Sequence, residues 1–96
     1  MSLAFLPAAQ EEFDAAATYL DERVAGLGGE FVDDVERAAT LAATFPNIGR
    51  PVDPIHRKIT LQRFSYYLVY RIEGNEIVVV AVAHKRRRPG YWRSRT

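Results

Sequence analysis

The last thirteen residues carry six cations and no acid: Lys85, Arg86, Arg87, Arg88, Arg93 and Arg95. His84 leads into the run, and Pro89-Gly90-Tyr91-Trp92 interrupts it. Guanidinium groups bind phosphate or carboxylate in bidentate fashion. Aromatic rings stack on bases and on guanidinium planes. Lys85, Arg86, Arg87, Arg88, Tyr91, Trp92 and Arg93 therefore form a candidate contact for an anionic partner. Nucleic acid, an acidic protein segment or an acidic surface would each satisfy that chemistry. The structural alternative is a solvated basic tail whose Tyr91 and Trp92 pack back onto the core.

A second chemistry open to these residue types is RNA cleavage without a metal. It needs a base for the 2′-hydroxyl proton, an acid for the leaving oxygen and cations for the phosphorane charge. His84, Lys58, Tyr66, Tyr67 and Tyr91 are candidate acids and bases, with Arg63 and Arg86 as clamps. The plainer reading of His84 is a hydrogen-bonded histidine at a strand end. Other chemistries lack their residues. There is no cysteine and only two histidines, His56 and His84. Ser2, Ser65 and Ser94 lie in no nucleophile motif, and no glycine-rich phosphate loop is present. The paired acids Glu11-Glu12 and Asp33-Asp34 read as solvated helix faces. No metal and no cofactor is expected.

A chain of 96 residues, 48% hydrophobic and 26% charged, reads as one folded domain over residues 1–96. The longest apolar run, Ile77 to Ala83, is too short to span a bilayer as a helix. Residues Met1 to Pro7 lack a basic n-region, so no secretory leader is expected. A cytoplasmic protein without a membrane partner is the resulting expectation. The net charge of +1 hides a strong asymmetry. Residues 1–48 carry nine acids against two arginines, and residues 49–96 carry eleven cations against three acids. The halves stand at −7 and +8, which favours an anionic partner for the C-terminal half.

The elements that must position these residues follow from periodicity. Leu3 to Leu6 reads as a short strand. Pro7 suits the first turn of a helix, where its missing N–H costs nothing. Ala9, Phe13, Ala16, Leu20 and Val24 make one apolar stripe, predicting a helix from about Ala8 to Val24 that stops near Gly26, with early acids favoured by its dipole. Gly28-Gly29 reads as a breaker. Phe31, Val35, Ala38, Ala42 and Phe45 then predict a second helix, ending before Pro46-Asn47-Ile48-Gly49. Pro51 to Pro54 reads as a loop. Arg57 to Arg63 alternates, with Ile59 and Leu61 on one face. Tyr66 to Ile72 and Ile77 to Ala83 read as strands joined at Glu73-Gly74-Asn75-Glu76. The expected fold class is α+β in the order β-α-α-β-β-β. An antiparallel helix hairpin packs on one face of a small, mainly antiparallel twisted sheet. The other face need not be covered and is free to carry polar and basic residues.

Several segments together resemble the RelE/ParE toxin superfamily of bacterial type II toxin–antitoxin modules. They are Phe5-Leu6-Pro7-Ala8-Ala9, Gly28-Gly29-Glu30-Phe31 and Phe45 to Pro51. The strongest are Arg63 to Ile72, Ile77 to His84 and Arg87-Arg88-Pro89-Gly90-Tyr91-Trp92. The resemblance spans nearly the whole chain and implies the same β-α-α-β-β-β order. It implies a growth-inhibiting toxin neutralised by a cognate antitoxin on a separate chain, in a possible hetero-oligomer. RelE-like members cut mRNA at the ribosome. Lys58 and Arg86 match two of their basic places, but Thr60 and Tyr67 stand where a lysine and an arginine are expected. Tyr91 or Trp92 falls near their C-terminal tyrosine. A ribonuclease would thus use Lys58, Arg63, His84, Arg86 and Tyr91. ParE-like members inhibit DNA gyrase, and their histidine followed by arginines resembles His84 to Arg88. The resemblance favours the ParE-like side. An antitoxin would add a strand at the sheet edge left by the short first strand. A non-toxic family member that only binds an antitoxin is the further alternative the resemblance allows.

Overall fold

The computed structural model describes residues 1–96. The chain runs β1 (Ser2–Phe5), α1 (Pro7–Arg23), α2 (Leu27–Thr44), β2 (Arg50–Pro51), β3 (His56–Thr60), β4 (Tyr66–Glu73) and β5 (Glu76–His84). The sheet order is β1-β5-β4-β3-β2. Only the β1–β5 pair is parallel. The α+β class and the helix hairpin on a mainly antiparallel sheet are therefore as expected. The two-residue β2, placed in a turn and loop by the sequence reading, adds a fifth strand at the edge opposite β1.

The apolar stripes explain the helix packing. Ala9, Phe13 and Ala16 of α1 join Phe31, Val35, Ala38, Ala39 and Ala42 of α2. They bury against Leu68, Tyr70, Ile77, Val79 and Val82 of the sheet. The ends of the stripes do not: Val24 and Phe45 lie just past their helices and are exposed. The early acids are also not placed as expected. The first turn of α1 holds no acid, and the dipole's influence fades beyond that turn.

The break between the helices falls at Gly26, where the first helix is expected to stop, and Gly28-Gly29 does not act as a breaker. Gly26 has φ of 89°, a left-handed conformation that disfavours side chains. Gly28 lies inside α2 and is buried. A Cβ there would stand 2.5 Å from the Ala17 carbonyl oxygen. Its glycine serves close helix–helix approach instead of ending a helix.

The second face of the sheet is covered, as the unbroken apolar run Ile77 to Ala83 implies for a strand buried on both sides, and is not left open to polar and basic residues. Tyr67, Val69, Val80, Ala81 and Ala83 form a second apolar cluster with Trp92. A β-bulge makes this layer possible. Val69 pairs with Ala81 and Tyr70 with Val79, leaving Val80 without an opposite residue. Val80 and Ala81 can then both join the outer cluster. The C-terminal segment supplies the lid.

Candidate target-binding rim

Strand β5 carries His84 to the end of the sheet, and the chain then turns sharply. The Arg87 N–H donates to the His84 carbonyl at 3.0 Å. The Arg86 N–H donates to His84 Nδ1, also at 3.0 Å. The Lys85 N–H donates to the Ser65 carbonyl at 2.9 Å, tying the turn to the β3–β4 loop. Gly90, with φ of 77°, reverses the chain and sends Tyr91 and Trp92 back under the sheet.

Lys85, Arg86, Arg87 and Arg88 are all exposed. Their charges are not equivalent. Arg87 lies 3.9 Å from the Tyr91 ring centroid and 3.9 Å from the Glu12 carboxylate. Arg93 donates to Asp53 at 3.2 Å, and Arg95 is held by Glu12. Lys85, Arg86 and Arg88 form no ion pair. The rim therefore presents three free cations on a turn held by bonds from its backbone N–H groups to the Ser65 carbonyl, the His84 ring and the His84 carbonyl.

The aromatic residues predicted beside them behave differently. Trp92 is 2% exposed, with its ring 4.7 Å from that of His56. It is a packing anchor of the outer cluster and offers no face for stacking on a partner. This corrects its placement among the target contacts. Tyr91 is half-buried and donates its O–H to Glu12 at 2.6 Å. Burial, and then that bond to a carboxylate, push its hydroxyl well above the ordinary tyrosine value.

The candidate ribonuclease residues do not converge. Lys58 lies over the Tyr67 ring at 4.8 Å, against a residue of the outer cluster. Arg63 pairs with Glu30 of α2 at 2.6 Å, on the helix side. His84 packs edge-on to Tyr66, which contacts Phe31 of α2. Arg86 points its charge into solvent without a partner, and the Tyr91 proton is held by Glu12. No two of these five side chains share a hydrogen bond. Among the candidate acids and bases, the phenols of Tyr66 and Tyr67 serve packing: Tyr66 against the main core and Tyr67 within the outer cluster.

Sequence reasoning missed Glu12. Its side chain is 16% exposed and accepts from four donors. These are the Val82 N–H at 3.1 Å, the Tyr91 O–H at 2.6 Å, and Arg95 Nη1 and Nη2 at 2.8 and 3.0 Å. Asp34, also assigned to a solvated face, is buried and pairs with Arg37. Only Glu11 and Asp33, the other members of the two acid pairs, are exposed as expected. Contacts spanning 70 to 83 residues leave no local signal in the chain.

Two carboxyls here make stability depend on acid. Burial alone would raise Glu12, but the bonds from Arg95, Tyr91 and the Val82 N–H outweigh it and hold its carboxyl below the ordinary 4.5. Burial opposes Asp53 likewise, and the His56 and Ile55 N–H groups, the His56 ring and Arg93 hold it well below 3.8. A carboxyl depressed in the folded state contributes stability that is complete above its unfolded value and lost as pH falls through its folded value. Melting temperature should thus fall steadily on acidification from pH 5, with a shallower slope in Glu12→Gln. Equal slopes in the two proteins would refute the assignment of Glu12.

The chain matches the family model described as the ParE toxin of the type II toxin–antitoxin system parDE, over residues 3–89. It belongs to the ParE toxin family. Its structure is similar to a solved chain described as the chromosomal ParDE TA system from P. aeruginosa, with TM-score 0.73 and 22% identity. The likeness covers 88% of this chain and 95% of that one, and it shows a shared fold. No curated protein matches the chain. The protein is a ParE-like type II toxin, and such a toxin has an antitoxin as partner. No helix is long and apolar enough to cross a membrane.

Proposed function

We propose that this toxin arrests growth by docking its basic rim onto DNA gyrase in the cytoplasm, without catalysis of its own. The observation that carries the reading is the trio of unpaired, exposed cations Lys85, Arg86 and Arg88, held on a turn that follows the interior strand β5. Their surroundings suit recognition: the turn is fixed by bonds from three successive backbone N–H groups. A rigid scaffold presents charge at lower entropic cost than a loose tail does. Gyrase inhibition is the role carried by the ParE family. The scattered placement of Lys58, Arg63, His84, Arg86 and Tyr91 disfavours the alternative of ribosome-dependent mRNA cleavage. The toxin domain is taken as residues 1–96, and the antitoxin as a separate chain that forms a hetero-oligomer with it.

The test is supercoiling of relaxed plasmid by purified gyrase with added toxin. Inhibition that is relieved by rising salt is expected, because exposed charge contacts are screened. Full supercoiling at excess toxin, with fresh 5′ ends on translated mRNA, would replace this reading with the ribonuclease.

A further inference from the structure

We propose that Glu12 is the positioning residue of the basic rim, a single carboxylate that staples both ends of the turn bearing Lys85, Arg86 and Arg88. The inference rests on the reading of that rim as the target contact.

The argument begins at a sheet edge. β1 pairs with β5 only as far as Phe5 and Val79, and the last bond of that ladder runs from the Leu6 N–H to the Val79 carbonyl at 2.9 Å. Beyond it, β5 has no strand on that side, although it stays paired with β4 on the other. Unpaired backbone groups at a buried edge are costly. Glu12 accepts the Val82 N–H at 3.1 Å, and Arg95 donates to the Val80 carbonyl at 3.1 Å. The two side chains also bond each other in bidentate fashion. The Glu12–Arg95 pair thus takes the place of the missing strand.

The same carboxylate accepts the Tyr91 O–H. Two carboxylate oxygens offer about four acceptor sites, and Glu12 fills them from Val82, Tyr91 and twice from Arg95. Val82 lies two residues before His84, and Tyr91 lies three residues beyond Arg88. The segment between them, which holds the whole cationic turn, is therefore fixed at both ends by one group on α1. The Arg87 guanidinium closes over the same point, stacked on Tyr91 and facing Glu12. Tyr91 and Arg95 lie outside the residues 3–89 covered by the family match. The staple is thus built in part from positions beyond the matched segment.

A purely structural carboxylate would lower melting temperature and leave the rim of the folded protein unchanged. A positioning carboxylate also loosens the rim. The experiment uses the full chain at a temperature where each variant is folded by circular dichroism. Backbone hydrogen exchange is read at the rim and in the helices, and inhibition is read with purified gyrase as probe. In Glu12→Gln, the Arg86 and Arg87 amides should exchange about tenfold faster, with the Val35 and Ala39 amides unchanged. Half-inhibition of gyrase should need about tenfold more toxin, since ordering the turn is then left to binding. Its salt dependence should be no weaker than in the parent, because every rim cation remains and Arg87 is released from Glu12. Arg95→Lys keeps the charge, loses the two-point bond and should fall between; it also serves if Glu12→Gln does not fold. Rim exchange and inhibition equal to the parent in both variants, with only melting temperature lowered, would overturn the proposal. If the parent toxin does not inhibit gyrase, the rim reading fails, and the exchange rates alone decide whether Glu12 orders the turn.

Discussion

Replacing Lys85, Arg86 and Arg88 together by alanine is expected to abolish growth arrest while lowering the melting temperature by less than about 8 °C. All three side chains are exposed and unpaired, so their removal breaks no internal contact, and surface changes of this kind are usually within about 0.5 kcal/mol each. At an interface the same charges count for more. Losing three contacts to an anionic surface costs about 3 kcal/mol in all, roughly a hundredfold in affinity. Arg87 is left in place deliberately, since it stacks on Tyr91 and faces Glu12. Growth curves after induction without antitoxin, beside thermal melts of the purified protein, provide the check. A folded triple variant that still arrests growth would move the contact elsewhere on the molecule.

The second large effect is on stability. Trp92→Ala should destabilise the fold by about 3–5 kcal/mol, the usual cost of emptying a buried aromatic site. For a domain of this size that corresponds to a fall in melting temperature of about 15–30 °C. Trp92 fills the outer cluster against Tyr67, Val69, Val80, Ala81 and Ala83. Most of the side chains lining that space are valine and alanine, which are too small to fill it. Trp92→Phe should cost far less, because it keeps a ring there and removes an Nε1–H that is buried without a protein acceptor. Trp92 is also the only tryptophan, so its emission reports the site directly. Blue-shifted emission in the native protein that moves red on unfolding is expected. A solvent-like emission in the native state, or a melt unchanged in Trp92→Ala, would show that the tail does not dock.

These two residues of the tail show why charge and ring content had to be separated by geometry. On sequence, Trp92 and Arg88 share one basic, aromatic segment and suggest one surface. In the fold they divide. Gly90 turns the chain, so the cations before it stay outside and the tryptophan after it goes under the sheet. The charges also divide: Arg93 and Arg95 are used internally by Asp53 and Glu12, and Lys85, Arg86 and Arg88 are not.

Local pattern alone determined much of this protein. The helical stripes through Phe13 and Phe31, the aromatic strand from Tyr66 and the continuous apolar run of β5 each carry their period in consecutive residues. Hydrophobic burial makes such periods legible, because one face of an element must leave water. The order of elements followed from these periods, and the toxin class from the resemblance carried by segments such as Arg63 to Ile72 and Arg87 to Trp92. Tertiary structure alone decided that Glu12 is not a solvated acid, that Trp92 is a lid on the outer face, and that Gly28 lets two helices touch. Each of those facts is a meeting of groups far apart along the chain. A carboxylate reads as surface until the fold brings it a buried amide, a phenol and a guanidinium, and only then does its place become energetically defined.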